Sequence, residues 1–439
     1  MEAGTAQIGE SRVAQMRGLG VPLLGMAVIA ATVAWGLTAT AAGENLGTAL
    51  PPFLYDWQPR AGPAALVAAA LLAATVAAVP RLRSPSLSPA RFAGAVLGLG
   101  LVLRLGLAAA RGGIDGWYSV YRVPELEASN EYLPALPAFD FGARFFLDTF
   151  AEIGTSLPVH AVGHPPGLLL GLHLLGIDTA QGMATLTIGV GVLSVPLTYV
   201  LARSVLDESR ARVATILYLF APSAVLHGAT SADALYATLA LVAAAALLAH
   251  RRAARALGPP ALALASFFSY ANLAVGAFAA IVAWRRDGKR RALALSAGCA
   301  AALLAIYGML HLATGFDPLG ALRSTESVYR EGIASTRPYA FWVLGSPVAF
   351  LVAAGLPIAW LALRALAARD TVAIALFAVL ATAATLGFTK AETERIYLFL
   401  VPLACIAAAT ALPARRLPIV AGALALQALA TELLFYTTW

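Results

Sequence analysis

Long apolar runs, each close to twenty residues, recur along this chain between short basic or polar loops. The hydrocarbon core of a bilayer is about 30 Å thick, so an α-helix needs about 20 apolar residues to cross it. With 60% hydrophobic and only 12% charged residues, the chain has too few charges to cover a soluble core of its size. We therefore predict an all-α, polytopic membrane protein, with residues 1–439 forming a single domain in a lipid bilayer.

The basic residues that give the chain its net charge of +7 cluster in short loops. Such loops are typical of the cytoplasmic side of a membrane, so the charge does not indicate a nucleic-acid partner. The pattern predicts a multi-pass plasma-membrane protein with residues 1–17 and the N-terminus in the cytoplasm and the C-terminus extracytoplasmic. The loops expected inside are 81–91, 203–212, 250–257, 285–291 and 414–417.

Counting the apolar runs under this charge rule gives about thirteen transmembrane helices. The predicted spans are 18–40, 61–80, 91–110, 183–202, 213–228, 232–249, two short passes within 258–284, 292–312, 341–363, 370–388, 396–413 and 418–436. The run PPGLLLGLHLLGI after His164 is too short to cross the bilayer. It predicts a re-entrant or interfacial helix.

A polar stretch of unusual length, from Gly112 to Gly167, interrupts the apolar pattern with acidic, aromatic and histidine side chains. Connectors this long are usually either functional or disordered. An apolar pattern within the stretch favours packed, partly helical structure, and its members are Phe141, Phe145, Phe146 and Phe150. We therefore predict an extracytoplasmic active-site loop over residues 111–165, and a second extracytoplasmic loop over 313–340.

Carboxylates and arginines on one face of a membrane suit a reaction that deprotonates a hydroxyl and releases an anionic phosphate. A carboxylate can act as the base, and a guanidinium can hold phosphate oxygens in its bidentate fork. The basic and acidic substrate-binding candidates in the later outer loops are Arg323, Arg330, Arg337, Lys390, Glu394 and Arg395.

Several of these polar residues also have a purely structural interpretation. Glu127 can be a solvated loop charge, and Asp233, which follows Ser231 at the start of an apolar run, can cap a helix. Residues 392–395 can form an interfacial ion-pair cluster. Arg104, inside the third predicted span, can either extend to the interface or face a cavity.

The two histidines of the polar stretch, His160 and His164, are four residues apart, as metal ligands on a helix can be. Pro165 disfavours helical geometry at His164, and no third ligand is fixed by spacing. Contact with a phosphate or a sugar is therefore the favoured interpretation of both. We predict no metal site and no required cofactor, although a divalent metal remains possible.

The order of motifs in the first half of the chain resembles the GT-C class of membrane glycosyltransferases, which use polyprenyl-phosphate sugars. Asn130-Glu131-Tyr132 is similar to the acidic motif, followed by tyrosine, in the long first outer loop of that class. His164-Pro165-Pro166 is similar to its His/Lys-Pro-Pro motif, which comes about thirty residues later and opens a short apolar helix. The later segments Phe220-Ala221-Pro222 and Ser231-Ala232-Asp233 also resemble the class.

This resemblance implies a GT-C-like bundle and an inverting glycosyltransferase of the kind found among actinobacterial mannosyl- and arabinosyltransferases. The implied partners are a polyprenyl-phosphate sugar donor and an envelope glycan, lipid or protein acceptor. Glu131 would take the place of the catalytic base, with Tyr132 beside it in the substrate site. The class often has two adjacent acids here, whereas Asn130 precedes Glu131, so Asp115 and Asp140 are alternative bases.

Two other functions are compatible with the sequence. A transporter or flippase of a lipid-linked sugar would place its ionisable residues near the middle of the membrane, in broken helices. Most of the ionisable residues here are instead predicted at the outer edge, which favours the enzyme. A non-catalytic scaffold with a GT-C-like fold is the third alternative.

Overall fold

The computed structural model describes residues 19–439, which are mainly helical. Helices α1 to α3 span Gly20–Ala41, Ala65–Leu82 and Pro89–Gly112, and α4 to α6 span Ala143–Ile153, Val159–Val162 and Gly167–Leu175. Helices α7 to α14 span Ala180–Gly191, Ser194–Arg203, Glu208–Phe220, Pro222–Thr230, Asp233–Leu247, Arg252–Ala256, Gly258–Phe268 and Leu273–Asp287. Helices α15 to α22 span Lys289–Thr314, Pro318–Glu331, Tyr339–Ala354, Leu356–Ala367, Thr371–Leu386, Thr393–Ile396, Val401–Ala411 and Leu417–Leu434.

Two short strands join distant parts of the chain. Strand β1, Asp56–Trp57, pairs antiparallel with β2, Phe435–Tyr436, which directly follows α22. This pairing holds the segment after the last described helix against the loop between α1 and α2.

Seven helical stretches within residues 19–439 are long and apolar enough to cross a membrane, or nine if each of two bent pairs forms one span. The seven are Gly20–Ala41, Ala65–Leu82, Pro89–Gly112, Ala180–Arg203, Lys289–Thr314, Thr393–Ala411 and Ala414–Leu434. The predicted all-α, multi-pass membrane protein is thus confirmed at this level. The count of thirteen and the orientation of the termini stay predictions, and residues 1–17 lie outside the described part of the chain.

The breaks between helices follow local backbone chemistry. Helices α9 and α10 meet at 58° because Pro222 lacks an N–H donor and disfavours helical geometry at Ala221. The span predicted over 341–363 is broken in the structure, because α17 and α18 meet at 113° around Gly355. Gly355 has φ +120°, and a Cβ atom there would lie 2.3 Å from Cδ2 of Leu424.

The break that the sequence predicted in the middle of 258–284 is confirmed. Within 258–284, α13 ends at Phe268 and α14 begins at Leu273. A turn of 3-10 helix, Tyr270–Asn272, lies between them at the polar residues that suggested a turn.

Hydrogen bonds from arginines gather the basic loops at one end of the helix bundle. Arg83 donates to the carbonyl of Ala414 at 2.8 Å, and Arg212 donates to the carbonyl of Ser84 at 2.7 Å. Arg286 donates to a carbonyl in the loop after α8 at 3.0 Å. Because α3, α15 and α22 each start at this basic end, the loops that follow them lie at the opposite end.

This arrangement makes the membrane topology testable with single cysteines on intact cells. Ser335 and Gly288 are both exposed and lie at opposite ends of α15 and its neighbours. We expect a membrane-impermeant thiol reagent to label Ser335→Cys and to leave Gly288→Cys unlabelled until the cells are permeabilised. Labelling of Gly288→Cys from outside would reverse the predicted orientation.

Arg104 is a structural element of the bundle. It is 2% exposed, so the prediction that it extends to the interface is wrong. Its Nε donates to the carbonyl of Ala224 at 3.2 Å, and its Nη2 donates to Oγ of Ser194 at 3.1 Å. A Cβ atom at Gly228 would lie 2.6 Å from the Arg104 Nε. Arg104 therefore joins α3, α8 and α10. The missing side chain of Gly228 leaves room for its guanidinium group.

Candidate active site

The polar stretch after α3 folds as turns before it becomes helical. Three short 3-10 helices precede α4, at Ser119–Tyr121, Glu127–Ser129 and Leu133–Phe139. Pro134 and Pro137 lie in the third, where each lacks the N–H that a continuing helix would need.

The aromatic pattern predicted for this stretch is only half buried. Phe146 and Phe150 pack in the core, whereas Phe141 and Phe145 are 81% and 50% exposed. The prediction of packing was therefore wrong for the two exposed rings.

Glu131 is the most enclosed acid of the loop. Its side chain is 2% exposed, and its Oε1 accepts a hydrogen bond from Nε1 of Trp439 at 3.1 Å. Its Oε2 has no hydrogen-bond partner among residues 19–439. Burial raises the pKa of the carboxyl group, and the nearby His160 and Arg395 oppose that rise. Glu131 thus presents one carboxylate oxygen that is free to accept a proton or a cation.

A histidine–carboxylate pair lies beside Glu131. Nε2 of His160 is 2.6 Å from Oε1 of Glu127, and the other oxygen of Glu127 accepts a bond from Nδ2 of Asn130 at 3.3 Å. Burial alone would lower the pKa of His160, but the Glu127 hydrogen bond and the Glu131 charge outweigh it, so the net direction is upward. The side chain of Glu127 is only 13% exposed. The interpretation of Glu127 as a solvated loop charge is therefore wrong.

A second buried cluster joins three segments of the chain. Nη1 of Arg395 donates to Oδ2 of Asp233 at 2.5 Å, and its Nη2 donates to Oε2 of Glu392 at 2.9 Å. The other oxygen of Glu392 accepts a bond from Nη2 of Arg337 at 2.9 Å. Both Arg395 and Arg337 are therefore already paired with carboxylates, which changes their predicted role as free phosphate ligands. The suggestion that Asp233 caps a helix is wrong, because the N-cap of α11 is Ala232 and no side chain caps it. The Asp233 carboxylate is instead an ion-pair partner of Arg395.

One indole connects the two clusters. The ring of Trp439 lies 3.9 Å from the Arg395 guanidinium and donates to Glu131. It also packs edge-on against the His160 ring, with 5.8 Å between ring centroids. The carboxylate pair of the polar loop and the arginine pair of the later loops are thus parts of one site.

The two alternative bases lie outside this site. Asp115 is 50% exposed at its side chain and pairs with Arg122 at 3.4 Å. Asp140 is exposed at the end of the third 3-10 helix. Glu131 is therefore the one of the three predicted catalytic acids that the structure encloses with other ionisable groups, although their roles stay predictions.

The aromatic candidates Tyr132 and His164 pack together with Tyr236. Tyr236 donates from its hydroxyl to the hydroxyl of Tyr132 at 2.8 Å. His164 packs against both rings, with centroid separations of 4.7 Å to Tyr236 and 6.3 Å to Tyr132. Burial lowers the pKa of His164 to about 4, so the imidazole is neutral at pH 7.

The remaining predicted substrate residues differ in exposure. Arg323 and Arg330 are exposed on α16, where Arg330 pairs with Glu326 at 2.8 Å. Lys390 donates to the backbone carbonyl of Arg337 at 2.9 Å. Oε1 of Glu394 accepts a bond from the backbone N–H of Leu54 at 2.8 Å.

Five residues of the site were not among the sequence candidates for catalysis or binding: Glu127, Asp233, Tyr236, Glu392 and Trp439. Most of their partners are far away in sequence, with a separation of 162 positions from Asp233 to Arg395 and of 308 from Glu131 to Trp439. No local pattern signals such pairs. The partial exception is Glu127, because its spacing of four residues from Glu131 was visible in the loop.

The polar loop also brings together three side chains that can ligate a metal. One oxygen each from Glu127 and Glu131 and one ring nitrogen of His160 lie within 4.8 Å of one another. Oxygen and imidazole nitrogen are ligands that suit divalent transition metals. The grouping does not include His164, which was the partner considered for His160 in the sequence.

Comparison with known proteins adds no relative: no protein-family model matches the chain, and no curated protein or solved structure is similar to it.

Proposed function

We propose that this protein is an inverting glycosyltransferase with a GT-C-like fold. It transfers a sugar from a polyprenyl-phosphate donor to an envelope glycan, lipid or protein acceptor at the outer face of the plasma membrane. The observation that carries the proposal is the buried Glu131, whose Oε2 has no hydrogen-bond partner in the described residues. An acceptor hydroxyl must lose a proton as it attacks the anomeric carbon, and such a carboxylate is suited to accept it.

The surroundings of Glu131 support this role. Arg395 and His160 place positive or protonatable groups near the carboxylate, and Tyr132 follows it in the chain. Helix α16 packs on the loop, since Oγ1 of Thr325 donates to the carbonyl of Val162 at 2.7 Å. The arginines of α16 therefore lie on the same end of the bundle as Glu131, where the phosphate of a membrane-embedded donor would be.

The direct experiment incubates the purified chain in detergent or nanodiscs with defined polyprenyl-phosphate sugars and an acceptor extract. We expect release of polyprenyl phosphate together with a glycosylated product. A complete lack of release with mannosyl and arabinosyl donors would argue against the proposal.

A lipid-linked-sugar transporter is the second candidate, because of the two bent helix pairs at 58° and 113°. Broken helices often form transporter binding sites. A transporter would move the donor across the membrane of a vesicle without cleaving it. Intact donor in the opposite leaflet, with no free polyprenyl phosphate, would favour this alternative.

The exposed arginines of α16 are expected to bind the donor phosphate. Because lysine keeps the charge and loses the bidentate fork, Arg323→Lys or Arg330→Lys should weaken donor affinity about tenfold at the position that binds. Arg290→Lys, exposed at the basic end of the bundle, is the matched control. If neither α16 variant changes the donor Kd, the phosphate binds elsewhere, with His164 and Lys390 as the next candidates.

A further inference from the structure

The Glu127, Glu131 and His160 side chains have the composition of a metal site. Tetrahedral zinc with ligand bonds of about 2.0–2.2 Å places its ligand atoms roughly 3.4 Å apart. The three ligand atoms already lie within 4.8 Å of one another, so small side-chain movements would bring them to that separation. Three protein ligands with a fourth position open to water or substrate is the arrangement of catalytic zinc sites.

Donors from outside the three residues hold one oxygen of each carboxylate. Asn130 donates to Oε2 of Glu127, and Trp439 donates to Oε1 of Glu131. The second oxygen of Glu127 is hydrogen-bonded to Nε2 of His160, which is itself one of the three residues. The second oxygen of Glu131 has no partner within residues 19–439. Donors that orient ligand side chains in this way are usual around protein metal sites.

The charges of the two joined clusters also favour a cation. Four carboxylates, those of Glu127, Glu131, Asp233 and Glu392, face two guanidinium groups, those of Arg337 and Arg395. With His160 neutral, as metal binding requires, the difference is a charge of −2. Lys390 lies at the edge of the clusters, where its ammonium group donates to the backbone carbonyls of Ala334 and Arg337. Uncompensated buried charge is costly, and one divalent cation would balance it.

From these three observations we propose that Glu127, Glu131 and His160 bind a divalent transition-metal ion, with Zn²⁺ as the best fit to two oxygens and one nitrogen. Magnesium and calcium prefer oxygen ligands alone, so the imidazole disfavours them. The proposal does not rest on glycosyl transfer. If the transfer occurs, the cation and the proton would compete for Oε2 of Glu131, because Oε1 accepts the Trp439 hydrogen bond.

The test measures metal binding without substrate. Untagged full-length protein is stripped with EDTA, titrated with Zn²⁺ by calorimetry, and analysed for bound zinc after dialysis; Co²⁺ absorption in the visible range reports the coordination number. We expect one Zn²⁺ per chain, and at least a tenfold loss of affinity in Glu127→Gln and in His160→Ala. Glu125→Gln, an exposed acid two residues from Glu127, is the matched control and should bind as the native chain does.

Two results would overturn the site. One is a native chain that retains no stoichiometric zinc; the other is undiminished binding by folded Glu127→Gln and His160→Ala proteins. The metal site and the function proposed above can fail separately. Sugar transfer by a chain that binds no zinc would exclude the metal site and leave the proposed enzyme. Stoichiometric zinc binding by a chain that releases no polyprenyl phosphate would support the metal site and argue against the proposed glycosyl transfer.

Discussion

Glu131→Gln is expected to lower the rate of glycosyl transfer by about 10²–10⁴-fold, the usual contribution of a general base. The amide cannot accept the proton that the attacking hydroxyl releases. Its oxygen can still accept the Trp439 indole hydrogen bond that Oε1 of Glu131 accepts now, so the fold should be preserved. The measurement is turnover at saturating donor, with donor Kd and melting temperature recorded for the same preparation.

Asp115→Asn and Asp140→Asn are the matched controls, since both acids are exposed and belong to the same loop as Glu131. Each should retain most of its turnover. Nearly complete loss in Asp115→Asn together with near-native turnover in Glu131→Gln would move the base to Asp115. Native turnover in all three variants would show that none of these three acids is the base.

Arg395→Ala is expected to destabilise the protein by about 3–5 kcal/mol, because removing one partner leaves a buried charge without compensation. Asp233 would lose the guanidinium that lies 2.5 Å away, while Glu392 would keep its bond to Arg337. The side chains of Arg395 and Asp233 are only 6% and 5% exposed, so solvent cannot replace the lost contact. Thermal unfolding in detergent, at a fixed scan rate, gives the comparison.

Arg330→Ala is the control for this prediction. Its pair with Glu326 is about half exposed, and exposed pairs contribute about 0–1 kcal/mol. A second variant separates charge from packing: adding Asp233→Asn to Arg395→Ala should recover part of the lost stability, because the unpaired charge is removed. Native-like melting of Arg395→Ala would show that the pair is not a major source of stability.

The fold was predictable wherever a single helix could be recognised from its own residues. The apolar runs at 18–40, 61–80 and 91–110 correspond to α1, α2 and α3, because about twenty apolar residues suffice to define a span. The bend at Gly355 was missed; a Cβ atom there would collide with Leu424, which belongs to another helix. Local composition contains no information about that contact.

The site was predictable to the same extent. Glu131 and Tyr132 were found through a short motif, and His160 through its place in a polar loop. The pairing of Arg395 with Asp233 was not predictable, because the two residues come from separate apolar segments and are 162 positions apart in the sequence. Arg323, Arg330, Arg337 and Arg395 look alike in sequence, and only tertiary packing separates the exposed pair on α16 from the buried pair.

The span of the Trp439 contacts has a consequence for biosynthesis. Segments near the N-terminus of a chain emerge from the ribosome first. The loop that contains Glu131 is therefore translated 308 residues before the indole that binds it, and Asp233 precedes its arginine by 162 residues. Until those later segments are inserted, the loop's acids and Asp233 lack these partners and must stay hydrated, since an unpaired charge cannot remain buried. A chain stalled on the ribosome before Thr393 would consequently display the polar loop with its carboxylates in water, and the site cannot close until the segments that contain Arg395 and Trp439 are inserted.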